Sequence, residues 1–296
     1  MPELPEVETV RRGLQPFVEG AVIVTAVLNR PNLRFPFPDD LVQTIEGSTI
    51  SALERRAKYL IWHLDNGHSL IAHLGMSGSF RIVSEDHSIP GAFHYARSQA
   101  KAHDHVVLTL RQSSHLETRI IYNDPRRFGF LLMTPTLELT KHKLMRDIGI
   151  EPLGNSFNSD ALFERFAGKS TTLKAALLDQ SLIAGIGNIY ACEALWAAKL
   201  SPLRQAGSLA RKNGKKSHEA DALAASIRDV LTRAIEAGGS TLRDHRQADG
   251  ELGYFQHSFN VYGRTGEACR HLACTGKIER IVQNGRSTFF CALCQT

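Results

Sequence analysis

Cys269 and Cys274, followed by Cys291 and Cys294, form two close pairs separated by sixteen residues near the end of a 296-residue chain. Two such pairs flanking a short β-hairpin can bring four thiolates together as a tetrahedron around one zinc ion. Four thiolates leave no open coordination position, so the expected role of the metal is structural. Its binding would supply folding free energy that so small a module cannot obtain from its own core. Three alternatives stay open at this level: unligated thiols, an iron–sulfur cluster, and replacement of one cysteine by His271, which lies inside the first pair. Cys192 falls in a helical stretch and is expected to be a buried thiol. Gly285-Arg286-Ser287-Thr288 lies at the expected hairpin tip, where Arg286 could reach a phosphate or a groove.

Upstream of this module the hydrophobic period changes once. Residues 20–132 read as β-rich: Ala21–Leu28 is β-branched and aliphatic, and Tyr59–Leu64 and Ser69–Leu74 flank Asp65-Asn66-Gly67, a hairpin signature. Val106–Arg111 and Thr118–Tyr122 alternate in the same way. Residues 84–105, polar and His-rich with Gly and Pro, read as a long exposed loop. From about Ser159 the period becomes helical, over Asp160–Phe166, Leu173–Leu178, Ile189–Ala198 and His218–Ala237. Ala184-Gly185-Ile186-Gly187-Asn188 interrupts this series with a glycine-rich turn, and 199–216 carries six basic and no acidic residues. That basic run reads as a solvated loop.

The formal net charge is +5, the pI about 9.0 and the mean hydropathy −0.18. A slightly basic, moderately polar chain suits a polyanionic partner without singling one out. No apolar run approaches the ~20 residues of a membrane helix, and no signal-peptide pattern opens the chain. A cytoplasmic protein with reduced thiols is expected.

The N-terminus is unusual. Removal of Met1 would leave Pro2 as a secondary amine, able to attack the electrophilic C1′ of a deoxyribose, expel the base and form an iminium. Glu3 could move protons beside it. Taken alone, Pro2-Glu3-Leu4-Pro5-Glu6-Val7-Glu8 reads as the start of a helix rather than as a nucleophile, with proline and acids in the first turn.

Further blocks follow in order: Lys58-Tyr59-Leu60, His73-Leu74-Gly75-Met76-Ser77-Gly78, Asp124-Pro125-Arg126-Arg127-Phe128-Gly129, Gly185-Ile186-Gly187-Asn188-Ile189-Tyr190 and the terminal GRSTFFCALCQ. With the PELPEVE start, this collinear set resembles the formamidopyrimidine-DNA glycosylase family from residue 2 to residue 295. The resemblance implies a multidomain α+β fold. An N-terminal antiparallel β-sandwich catalytic domain would span 1–132, a hinge 133–151, and a helix–two-turn–helix DNA-binding domain 152–257. A loop over the extruded base would lie near 240–256, and a C-terminal β-hairpin zinc finger would span 258–296.

The same resemblance places the nucleophile on Pro2 and the catalytic acid on Glu3, with Glu6 in support and Lys58 as the catalytic lysine. Lys58, His73, Asn188 and Arg286 would hold phosphates flanking the lesion. Met76, Arg126 and Phe128 would fill the gap left by the extruded nucleotide. The chemistry of these side chains suits gap filling, since Phe128 is a flat wedge, Met76 a flexible filler, and Arg126 a donor fork for the widowed cytosine. The ligands of one structural Zn2+ would be Cys269, Cys274, Cys291 and Cys294.

The implied reaction is base-excision removal of oxidised purines (formamidopyrimidines, and 8-oxoguanine opposite C) with β,δ-elimination at the abasic site. The implied partner is damaged or abasic double-stranded DNA, met by a monomer near the bacterial nucleoid. Two features depart from the family pattern: the first cysteine pair is spaced by four residues instead of two, and 84–105 and 211–216 are long. Leu4 within PELPEVE and the complete Met76–Arg126–Phe128 set favour this reading over an endonuclease VIII-like enzyme for oxidised pyrimidines. A non-catalytic zinc-ribbon DNA-binding protein would explain the cysteines and the charge but not the N-terminal block. A zinc deaminase would need an open metal site and a His-x-Glu element, and none accompanies these cysteines.

Overall fold

The computed structural model describes residues 1–84, 101–113, 117–209, 216–240 and 255–296. The chain divides into two compact units, 1–146 with 237–254, and 147–236 with 255–296.

The first unit opens with helix α1 (Leu4–Val18), whose buried face carries Leu4, Val7, Val10, Leu14 and Val18. This i, i+3, i+4 spacing makes an apolar stripe along one side of the helix. Strands β1 (Val22–Leu28), β2 (Ile50–Arg56), β3 (Tyr59–Leu64), β4 (His68–His73), β5 (Ser79–Ser84), β6 (Asp104–Arg111), β7 (Glu117–Asn123) and β8 (Phe130–Pro135) follow, with the short helix α2 (Leu41–Ile45) after β1. They form two antiparallel four-stranded sheets, ordered β1-β6-β7-β5 and β2-β3-β4-β8. One apolar core joins Ile23, Leu108, Leu110, Ile120 and Phe80 of the first sheet to Leu53, Leu60, Trp62, Leu70 and Leu131 of the second. Trp62 and Phe80 meet at 5.7 Å between ring centroids. The β-rich stretch expected from alternation forms the sandwich that the resemblance implies, and the β3–β4 hairpin turns at Asp65–Gly67, where Gly67 takes a positive φ.

One expectation needs correcting. The last two residues of the stretch read as a loop, Asp104 and His105, begin strand β6 and are buried. They are polar core residues with satisfied groups: Asp104 accepts from Arg81 and Asn123, and His105 Nε2 lies 2.8 Å from the Asp124 carbonyl. Polarity alone misread them, because buried polar groups are tolerated once hydrogen-bonded. Residues 85–100 of that stretch, and 211–215 of the basic run, lie outside the described residues.

The second unit holds helices α3 (Ser159–Phe166), α4 (Leu173–Leu178), α5 (Asn188–Ala197) and α6 (His218–Glu236), then strands β9 (Ile278–Gln283) and β10 (Arg286–Cys291). Asn158 and Thr172 cap α3 and α4 by accepting from Ala161 N and Ala175 N. Between α4 and α5 the Gln180 side chain braces the glycine-rich turn. Its Nε2 donates to Leu178 O and Ile186 O, and its Oε1 accepts from Gly185 N. Cys192 is buried on α5 and forms no disulfide. It shares a core with Trp196, Val261, Cys269, Ile278, Phe289 and Cys291. The helical segment and the cysteine hairpin are therefore packed as one body. No helix among the described residues is long and apolar enough to cross a membrane.

Candidate active site and metal centre

Pro2 is buried immediately ahead of α1, and Glu3 occupies the helix N-cap. The Glu3 amide donates to Glu6 Oε2 at 2.9 Å, so the first turn folds back on the residue that follows Pro2. The other oxygen of Glu6 accepts from both the amide and the hydroxyl of Ser240, each at 2.8 Å. Glu6 thus ties the chain start to the residue from which 241–254 departs. The expected base-covering loop falls almost wholly on 241–254, outside the described residues. A Cβ on Gly239 would sit 3.3 Å from Glu6 Cγ and Oε1, and its φ of +80° suits glycine. Glu6 is therefore closely walled.

Lys58 is buried at the β2–β3 turn. Its neighbour Ala57 has φ +53°, a left-handed conformation that strains a non-glycine residue. The Ala57 carbonyl accepts from Arg55 Nη1 at 3.0 Å, and Arg55 Nε in turn pairs with Glu8 of α1 at 3.1 Å. Burial pushes the Glu8 carboxyl up, but the Arg11, Arg12 and Arg55 guanidiniums outweigh it and hold the group below its usual range. An ionised Glu8 consequently anchors the turn that carries Lys58.

His73 closes strand β4 and stacks on Phe130 at 5.3 Å with an interplanar angle of 13°. Burial, then the charges of Lys58 and Arg34, bring its pKa down to about 4, against an opposing pull from Asp124. The ring is uncharged at neutral pH. Its Nδ1 accepts from Gly75 N at 3.0 Å, which leaves the proton on Nε2 as a donor.

Met76 is half-buried in the turn after β4, while Arg126 and Phe128 are exposed on the turn before β8. The Arg126 guanidinium lies 5.0 Å from the Phe128 ring centroid. Asp124, fully buried, joins the two turns. Its Oδ1 accepts from Ser77 Oγ at 2.6 Å and Arg126 N at 3.3 Å, and its Oδ2 from Gly129 N at 2.8 Å. The turns also touch backbone to backbone, since a Cβ on Gly75 would come within 2.4 Å of Gly129 N and Phe128 C. The sequence motifs single out the three side chains at these turns but give no role to Asp124, whose charge is invisible as a pivot until both turns are placed. Asp124→Ala strands three donors and is expected to cost about 3 kcal/mol or more of stability. Urea midpoints would measure this, and a variant within about 0.5 kcal/mol of the parent would refute the pivot.

In the second unit, Asn188 opens α5 and donates from Nδ2 to Ser287 O at 2.9 Å. Lys174, wholly buried, donates to the same carbonyl at 3.0 Å and to Thr288 Oγ1 at 2.6 Å. Both side chains therefore fix the strand start beside exposed Arg286, which follows the left-handed Asn284-Gly285 turn. Lys174 was not expected from the sequence, where one lysine in a helix reads as solvent-exposed.

The Sγ atoms of Cys269, Cys274, Cys291 and Cys294 all lie within 4.8 Å of one another. Cys269–Cys294 and Cys274–Cys291 approach to 3.6 and 3.7 Å. A tetrahedron with Zn–S bonds near 2.3 Å has edges of about 3.8 Å, so the donor set fits one zinc ion. Trp196 Nε1 donates to Cys269 Sγ at 3.4 Å, a contact that favours the thiolate. His271 does not replace a cysteine in this set: its Nδ1 is 3.2 Å from Cys294 Sγ while its ring stacks on Trp196 at 3.9 Å. Gly276 is required here, because a Cβ would lie 2.6 Å from Cys291 Sγ. The four-residue spacing of the first pair leaves the convergence of the thiols intact.

Three family domains account for most of the chain. Residues 1–131 match the formamidopyrimidine-DNA glycosylase N-terminal domain, 148–246 its H2TH domain, and 266–296 the zinc finger found in FPG and IleRS. The chain belongs to the formamidopyrimidine-DNA glycosylase family. Similar proteins include the formamidopyrimidine-DNA glycosylases of Brucella ovis, 59% identical over 100% of both chains, and Chelativorans sp., 55% identical over 100% of both. Among solved structures, the MutM (Fpg) protein of Thermus thermophilus is 38% identical with a TM-score of 0.80, covering 99% of this chain and 98% of that one. A complex of Lactococcus lactis Fpg with abasic-site-containing DNA is 33% identical with a TM-score of 0.82, covering 99% of each. Membership in the formamidopyrimidine-DNA glycosylase family brings a structural zinc ion to the four cysteines.

Proposed function

We propose that this protein removes oxidised purines from duplex DNA in base-excision repair, and that it then opens the strand at the abasic site. The first part follows its full-length likeness to formamidopyrimidine-DNA glycosylases. The second rests on the seat of Pro2, which is the observation that carries the mechanism: Glu6 holds Glu3 N on one oxygen and Ser240 on the other, directly behind the proline.

Once Met1 is removed, the Pro2 nitrogen lies just beyond the N-terminus of α1. The positive end of the helix disfavours an ammonium there and raises the fraction of neutral amine. That lone pair forms a bond to C1′ while the bond from C1′ to the base breaks. Opening of the sugar ring gives an iminium, with Glu3 moving protons between the sugar oxygen, the base and solvent. Loss of a C2′ proton then expels the 3′ phosphate, and a second elimination releases the 5′ phosphate. Lys58, neutral His73, Asn188 and Arg286 take flanking phosphates, while Met76, Arg126 and Phe128 fill the vacated stack. The protein works in the cytoplasm beside the chromosome.

Borohydride reduces such an iminium to a stable amine. Duplex DNA with 8-oxoguanine opposite cytosine should therefore yield a covalent adduct whose tryptic map places the DNA on Pro2. Intact DNA binding with no adduct would discard the reading in favour of a binding module. Faster release of oxidised pyrimidines than of 8-oxoguanine would favour the endonuclease VIII-like alternative.

A further inference from the structure

The segment after β1 carries two core anchors around three exposed residues. Leu33 and Phe37 are 7% and 6% exposed and belong to the sandwich core, whereas Arg34 and Phe35 between them face solvent. The segment is braced internally by Leu33 N to Phe35 O at 3.0 Å and Phe37 N to Pro31 O at 3.1 Å. Asn29 fastens its start, donating from N to His105 O and from Nδ2 to Asp104 O. A loop held this firmly keeps its tip in one place.

That place adjoins the residues already described. Arg34 N donates to Gly129 O at 3.1 Å, joining the loop to the turn that bears Arg126 and Phe128. Phe35 packs on Phe130 at 5.2 Å, and Phe130 stacks on His73. The Arg34 guanidinium lies 5.6 Å from the Phe35 centroid, an arrangement that repeats the Arg126–Phe128 pair on the neighbouring turn. Behind burial and Lys58, the Arg34 charge contributes to the depression of His73.

The charge on Arg34 has no acidic partner among the described residues. Elsewhere in the same unit Arg11, Arg12 and Arg55 share Glu8, Arg81 pairs with Asp104, and Arg111 with Glu117. An exposed, rigidly presented guanidinium beside Lys58 and His73 suits an anion supplied by a ligand.

We propose that Arg34 is a further DNA-contact residue, taking a backbone phosphate next to the one held by His73, with Phe35 supporting its guanidinium. The inference rests on the reading of this face as the DNA site. Phosphate contacts position the duplex and carry no sequence information, so the contribution should be equal for lesion-bearing and undamaged DNA.

The test is the salt dependence of binding to two duplexes, one with a tetrahydrofuran abasic analogue and one undamaged, for the full-length zinc-loaded protein. Arg34→Ala should weaken both several-fold at low salt. Its plot of log K against log salt should be shallower by about 0.9, the slope of one phosphate. Arg34→Lys should restore the slope, and Arg111→Ala, which removes a paired charge, should leave it unchanged. A weakened Arg34→Ala with the parental slope would show a purely structural role and overturn the proposal, as would unchanged binding. Borohydride trapping by the unsubstituted protein scores the enzymatic reading separately: a protein that binds DNA without trapping loses that reading, while the slope still decides Arg34.

Discussion

Protein that keeps Met1, or whose Pro2 nitrogen is acylated, is expected to bind lesion DNA and yet release no base. An amide nitrogen has no available lone pair, so the bond to C1′ cannot form. Single-turnover base release should fall by roughly 10^4-fold or more, the scale seen when a covalent nucleophile is removed from an enzyme. Mass spectrometry would establish the state of the first residue, and release from 8-oxoguanine duplex would give the rate. Pro2→Gly, which keeps an amine but loses the ring, should retain part of the activity and still trap. A fully Met1-bearing preparation with the parental rate would remove Pro2 from the mechanism.

Removal of zinc is expected to have the second largest effect. Structural zinc sites contribute apparent binding free energies of about 10–16 kcal/mol, and here that energy holds the hairpin carrying Arg286. Trp196 of α5 donates to Cys269 Sγ and stacks on His271, so loss of the metal should loosen the helix face as well. Chelated protein, or Cys291→Ser, should lose at least about a hundredfold in DNA affinity, or about 2.8 kcal/mol. Trp196 emission should shift to the red, while Trp62 in the sandwich core stays shielded. Metal-free protein with full affinity and unchanged emission would refute the structural role of the ion.

Much of this protein is legible in its sequence because the signals are local. Asn-Gly after Tyr59–Leu64 marks a tight turn from backbone preference alone, and the β3–β4 hairpin forms there. The helical spacing of Leu173–Leu178 and His218–Ala237 likewise reports faces that α4 and α6 bury. Cysteine spacing marked a metal module because four thiolates on a hairpin have few other uses. Other features failed locally. Asp104 and His105 look like loop residues until Arg81, Asn123 and the Asp124 carbonyl satisfy them. Lys174 looks solvent-exposed until Ser287 and Thr288, more than a hundred residues away, accept its protons.

The amino-acid order by itself determined five of the sandwich strands, the four helices of the second unit, the cysteine tetrad and the identity of the motif residues. Each depends on neighbours within a few positions or on one short repeat period. Tertiary structure alone decided which turn meets which. It set the Asp124 pivot between two loops, the Glu6 tie from Glu3 to Ser240, and the neutral state of His73. The physical reason is the same in all three. Each carboxylate acquires its role, and the imidazole its charge state, from groups supplied by distant segments, and no local pattern encodes where those segments arrive.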